Sequence, residues 1–149
     1  MIGITPQGWL REWDAEGRVS PAEWPEASFV LGRAGATVLS FEDIHYDEKR
    51  IEEMALDSQV LVVTDGSKGG YVYWNGDVRR FHAWEVEEVD LVGAGDIFAT
   101  CFFFRYHATK DPWEAARFAA ELATLSVTRS GLDSVPTPEE VQSATVEVI

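Results

Sequence analysis

The chain is short of cations, of cysteine and of long apolar runs. Twelve Lys and Arg stand against 26 Asp and Glu, a formal charge of −14. That balance excludes non-specific binding to nucleic acid or to an anionic membrane surface. It also gives an anionic nucleotide no long-range attraction, so any phosphate site has to be built locally. The single cysteine, Cys101, excludes an internal disulfide and points to an intracellular, cytoplasmic chain. Set in an apolar stretch, it reads as a packing residue rather than a nucleophile. No apolar run is long enough to span a membrane, and no signal-peptide pattern is found. His45, His82 and His107 are widely spaced and form no metal-ligand pattern. Internal repeats and low-complexity tracts are also lacking.

What is present is enough for one folded domain: 149 residues, 46% of them hydrophobic. Met1–Thr5 reads as a short strand ending at Pro6, Gln7 and Gly8. A strand, loop or β-ribbon follows around a turn at Asp14–Gly17. Ser20, Pro21, Ala22 and Glu23 look like a cap and one helical turn. Ser28–Leu31 is a short apolar run, and Thr37–Leu39 reads as a buried strand. Residues 47–57 place Ile51, Met54 and Ala55 on one face of an amphipathic helix. Val60–Val63 form a core strand, and Asn75-Gly76-Asp77 marks a hairpin. Val86 and Val89 lead into a Gly-rich turn, with Glu85, Glu87, Glu88 and Asp90 on a solvated strand face. Asp111-Pro112 opens a helix whose apolar face includes Ala116, Phe118, Ala119 and Leu122. Thr137 caps a last helix. Strands alternating with helices give an α/β domain with a mostly parallel sheet and a β-hairpin. Ligands of such sheets bind at the carboxyl ends of strands. Thr64–Gly69 and Gly93–Asp96 both follow predicted strands, so they are expected to converge on one ligand.

Residues 90–104 concentrate the chemistry. Gly93, Ala94 and Gly95 precede a run from Ile97 to Phe104 that is apolar except at Thr100, which reads as a helix buried nearly all round. A turn of such small residues lets the backbone come close to a ligand. Where it feeds a helix, it aims unpaired N–H groups at one point, and the helix dipole favours negative charge there. An anion cradle is the expected result. Asp96 stands beside it in the first turn, and two roles fit. It caps the helix or complements its dipole. Or it is a general base, taking the proton of an alcohol while the N–H groups stabilise a transferring phosphoryl group.

Asp90 through Asp96 resembles the second signature of the ribokinase-like, pfkB-type carbohydrate kinases, D-T-x-G-A-G-D before a buried helix. The resemblance implies a ribokinase-like, Rossmann-like fold and ATP-dependent phosphoryl transfer to a hydroxyl of a sugar or polyol. It implies that Gly93, Ala94 and Gly95 form the anion hole and that Asp96 is the catalytic base. Leu91 departs from the usual Thr and removes a local hydroxyl. Thr64, Asp65, Gly66, Ser67, Lys68 and Gly69 resemble the segment T-x-G-x-x-G, which contacts the nucleotide. Read without the family, they are an ordinary strand-to-hairpin loop. Ser40 and Asp43 fall where the family has N-x-x-E, which implies a part in placing Mg²⁺ through water. Read alone, they are a helix cap with an acidic first turn. Arg117–Ala120 is similar to the helix that packs under the adenine, with Ala120 where Asn or His is usual. Asp90, carbonyls near Val92 and Gly131, and Ser134 resemble the monovalent-cation (K⁺) site of many members.

The resemblance runs from about Met1 to Val148 and covers only the C-terminal half of the family pattern. Residues 1–149 are therefore expected to be the C-terminal nucleotide-binding portion of such a kinase, a truncated product or a fragment, with the N-terminal substrate and lid half absent. Thr5-Pro6-Gln7-Gly8-Trp9-Leu10-Arg11 resembles the family's midpoint, where a central strand ends near the substrate. A half-sheet leaves an edge and a face uncovered, so self-association into a homo-oligomer is expected. The rival reading is a non-catalytic nucleotide-binding or interaction module.

Overall fold

The computed structural model describes residues 1–145. The far end of the family-like stretch, at Val148, lies outside them. The chain forms two compact units, one from Met1–Asp65 with Tyr71–Arg79, the other from Gly66–Gly70 and from Arg80 onward.

The first unit carries β1 (Gly3–Ile4), β2 (Arg11–Trp13), β3 (Val19–Pro21), α1 (Ala27–Leu31), β4 (Ala36–Ser40), α2 (Glu48–Asp57) and β5 (Val60–Thr64). The hairpin β6 (Gly70–Trp74) and β7 (Asp77–Phe81) follows, and the sheet order is β1-β4-β5-β6-β7. β1, β4 and β5 run parallel, so their carboxyl ends share one edge, where Ser40 lies directly beside Thr64. Ala36–Leu39 and Val60–Val63 are buried without interruption, as parallel strands covered on both faces require. Leu39, Leu61 and Val63 pack with Leu31, Ile51 and Met54. Each such side chain contributes about 1.5–3 kcal/mol by leaving water. Helix α2 starts where the Asp47 carboxylate accepts the Arg50 N–H. The hairpin turns through Asn75 and Gly76, both left-handed, the geometry that matches strand twist.

The second unit is helical: α3 (Ala94–Thr109), α4 (Pro112–Ser126) and α5 (Pro138–Ala144). Asp111 accepts the N–H groups of Trp113 and Glu114 to start α4. Thr137 and Glu140 form a reciprocal capping box at α5. The largely buried Arg105–Glu114 ion pair, at 2.7 Å, ties α3 to α4. The mostly parallel sheet flanked by helices is thus the expected α/β architecture.

Three local expectations are corrected, and one apolar run takes its form as a helix. Ser20 and Pro21 belong to β3, not to a helical turn: β3 pairs antiparallel with β2, and the Ala22 N–H reaches the Leu10 carbonyl at 2.9 Å. A partner distant in sequence overrides the local cap signal. Residues 28–31 form most of α1. No strand precedes Gly93, because residues 82–93 are irregular. The N–H groups of Val89 and Asp90 donate instead to the Val127 carbonyl, at 2.8 and 3.1 Å. Glu85, Glu87 and Glu88 are solvated but lie on no strand. Finally, α3 is a helix as expected but is not buried all round. Phe98, Ala99 and Phe102 are buried, whereas Phe104 is 64% exposed. The inner face is set by an aromatic column, Phe81 on Phe98 at 5.4 Å and Phe102 on Tyr106 at 5.8 Å. Cys101 is therefore only partly buried, and desolvation pushes its thiol up to about 11.

Candidate functional site

The start of α3 is built to remain open. Its N-cap is Gly93, left-handed at φ +84°, and glycine has no side chain with which to satisfy the first turn. The Ala94 N–H bends back to the Leu91 carbonyl at 3.2 Å, and the Ile97 N–H begins the helical ladder on Gly93 at 2.9 Å. Between them, the N–H groups of Gly95 and Asp96 meet no protein acceptor among the described residues. The space beside Gly93 and Gly95 is clear of other atoms. Asp96, at the third helical position, is exposed and does not fold back onto the Gly93 N–H. Unpaired donors, a helix dipole and an adjacent free carboxylate therefore stand together.

The carboxyl end of β4 has the same ingredients in another state. Ser40 Oγ accepts the Glu42 N–H at 3.2 Å, and Asp43 Oδ2 accepts the Ser40 N–H at 2.9 Å. Asp43 Oδ1 receives Arg11 Nη2 at 2.6 Å and Gln7 Nε2 at 3.1 Å. Asp43 is only 4% exposed, so both of its oxygens face protein donors. Arg11 and Gln7 were not singled out for this by the sequence, because they lie 32 and 36 positions from Asp43. Arg11 is a charged residue in a short strand and Gln7 an amide in a 3-10 turn; both fall in the Thr5–Arg11 stretch that resembles the family's midpoint, but nothing local pairs them with Asp43. Thr64, beside Ser40, donates its hydroxyl to the Leu39 carbonyl at 3.4 Å.

The loop after β5 holds Asp65 half-buried, then Gly66, Ser67 and Lys68 exposed in a 3-10 turn, and Gly69 buried. Gly69, at φ +91°, is demanded by the protein itself: a Cβ there would sit 2.2 Å from the Phe81 carbonyl oxygen. Asp90, Gly131 and Ser134 are brought together. Asp90 accepts the Val92 N–H at 3.0 Å and the Gly131 N–H at 3.4 Å, and Ser134 Oγ donates to the Gly131 carbonyl at 2.7 Å. Ala120 is buried in α4.

The residues fit a phosphate group at the α3 start, where donors stand open. They do not fit direct ligation of a divalent metal at Ser40 and Asp43, whose oxygens are occupied. Among the described residues no three His, Cys, Asp or Glu side chains gather as a metal site. Nor is any helix among them long and apolar enough to cross a membrane.

A family model described as pfkB family carbohydrate kinase matches residues 23–140. The chain is 35% identical over 88 residues to 2-dehydro-3-deoxygluconokinase of Thermoproteus tenax, a match covering 58% of this chain and 27% of that protein. Among solved structures it resembles ribokinase from Thermotoga maritima, with TM-score 0.68, 26% identity, 78% of this chain and 44% of that one. An Escherichia coli putative ribokinase II, solved in complex with ATP and Mg²⁺, shares the fold at TM-score 0.68 and 23% identity, covering 78% of this chain and 41% of that one. The match thus spans between about a quarter and somewhat under half of the length of these relatives.

Proposed function

Because this chain belongs to the pfkB family of carbohydrate kinases, we propose that residues 1–149 supply the nucleotide site, anion hole and catalytic base for phosphoryl transfer from ATP to a hydroxyl of a sugar or polyol. Asp96 takes the proton of the attacking hydroxyl. Of the three residues expected to form the anion hole, Ala94 spends its N–H on the Leu91 carbonyl, so the N–H groups of Gly93 and Gly95, with that of Asp96, stabilise charge on the transferring group. Thr64, Asp65, Gly66, Ser67 and Lys68 line the phosphates and ribose, with Gly69 holding the loop against Phe81. Ala120 lies beneath the base and offers it an apolar contact only. Mg²⁺ supplies charge neutralisation when bound; Ser40 and Asp43 act on it only through water. A monovalent cation such as K⁺ would take the Val92 and Gly131 carbonyls, Asp90 and Ser134. The reading includes a cytoplasmic location and self-association through uncovered apolar surface such as Phe104 and Leu132.

The observation that carries this reading is the pair of unaccepted N–H groups at Gly95 and Asp96 beside an exposed carboxylate. Isothermal titration with ATP and Mg²⁺, followed by a phosphorylation assay over a sugar and polyol panel, tests it. Saturable heat with turnover is expected; absence of nucleotide binding by folded protein contradicts it. Heat without turnover favours the second reading, a non-catalytic nucleotide-binding or interaction module. Three observations support that alternative: the occupied Asp43, the apolar Ala120 and the exposed Leu91 in place of a hydroxyl residue. Sedimentation velocity tests the association: concentration-dependent growth beyond the monomer is expected, and a monodisperse monomer contradicts it.

A further inference from the structure

Arg11 is held in a way that a simple structural ion pair does not require. One of its nitrogens, Nη2, meets Asp43 at 2.6 Å, while the side chain keeps 31% of its exposure. Nε and Nη1 have no protein acceptor among the described residues, and neither is sealed from solvent as Arg129 Nε is. A guanidinium anchored on one side by a buried carboxylate loses little further freedom on binding an anion with its other donors. Its place matters too. Asp43 follows the carboxyl end of β4, and Gln7 follows that of the parallel β1. Ligands of parallel sheets bind at that edge.

Two neighbours in the same unit define what else such a ligand carries. Gln7 donates Nε2 to the Asp43 oxygen that Arg11 also holds, which fixes its amide and leaves Oε1 to accept a hydroxyl. Trp9 stacks on Trp24 at 4.9 Å yet remains 49% exposed, an aromatic surface suited to the C–H face of a sugar. Building on the kinase reading above, we infer that Arg11 recognises the acceptor and that the acceptor carries a carboxylate: a polyhydroxy acid rather than a neutral sugar. Asp43 is the positioning residue that aims Arg11.

The test is titration of the 149-residue chain with D-gluconate, with its neutral counterpart sorbitol and with inorganic phosphate, read by tryptophan fluorescence and calorimetry. Gluconate is expected to bind at least tenfold tighter than sorbitol. Arg11→Gln should erase that preference, and Arg11→Lys should retain part of it. Asp43→Asn should weaken gluconate by a larger factor than sorbitol, because sorbitol loses only the Gln7 orientation whereas gluconate also loses the aim of Arg11. Equal affinity for gluconate and sorbitol, or no binding of either to folded protein, overturns the inference without recourse to any variant. So does Arg11-dependent binding of phosphate with none of gluconate, which would make the site one for phosphate. ATP–Mg²⁺ affinity of the same samples keeps the two readings apart. Nucleotide binding without acid preference sinks this inference alone, and acid preference without nucleotide binding sinks the kinase reading alone.

Discussion

Two of the helical starts that carry an acid at the third position, those at Ser40 and at Gly93, end in opposite states. At Ser40 the cap side chain and Asp43 satisfy each other's backbone, and Arg11 and Gln7 complete the carboxylate. At Gly93 the cap has no side chain, Asp96 points to solvent, and two N–H groups stay open. The first arrangement stabilises a strand end. The second leaves the helix end under-satisfied, a cost a fold tolerates where a ligand completes it. An acid near a helix start is thus no sign of function by itself; what separates the two is whether the cap can close.

The largest effect expected from that contrast is on chemistry. Asp96→Asn should lower phosphoryl transfer by at least about 10²-fold while ATP affinity holds in calorimetry and urea stability moves by no more than about 0.5 kcal/mol. Turnover surviving in that variant would erase the difference between the two acids. Next comes packing: Gly69→Ala places a Cβ 2.2 Å from the Phe81 carbonyl on a left-handed backbone. It should cost about 2–3 kcal/mol or more, read as a fall in the urea midpoint. At the closed start, Asp43→Ala removes an acceptor from three donors and should cost about 1–3 kcal/mol in the same measurement. A stability loss at Asp96 as large as that at Asp43 would dissolve the comparison. The smallest effect is titrational. The Thr137 N–H, with help from Arg129, holds the Glu140 carboxyl below its ordinary 4.5. A depressed carboxylate stabilises above its unfolded pKa, and that contribution is lost as pH falls through the folded value. Amide exchange in α5 should therefore accelerate relative to α4 only below about pH 4.5.

Features set by neighbouring residues were legible in the sequence. Val60–Thr64, the Asn75-Gly76 turn, the Asp111-Pro112 start and the Thr137 cap each carry their own chemistry, and each formed as read. The fold class followed from their order. Features set by distant partners were not legible. Ser20 and Pro21 join a strand because Arg11–Trp13 is available to pair with them. The face that α3 turns inward could not be read from a run apolar on every side, and Phe104 ended outward. The Arg11–Asp43 pair spans 32 positions with no periodic signal between its members. At the site, the glycines announced an opening, but only the fold distinguishes Gly93, which borders clear space, from Gly69, which is pressed against Phe81.

The most direct test of the open helix start follows backbone amides by heteronuclear NMR while ATP–Mg²⁺ is added. The amides of Gly95 and Asp96 should show the largest shifts and approach saturation together, while those of Glu139 and Glu140 at the closed start of α5 barely move. Saturable nucleotide binding that leaves Gly95 and Asp96 unshifted would contradict the account.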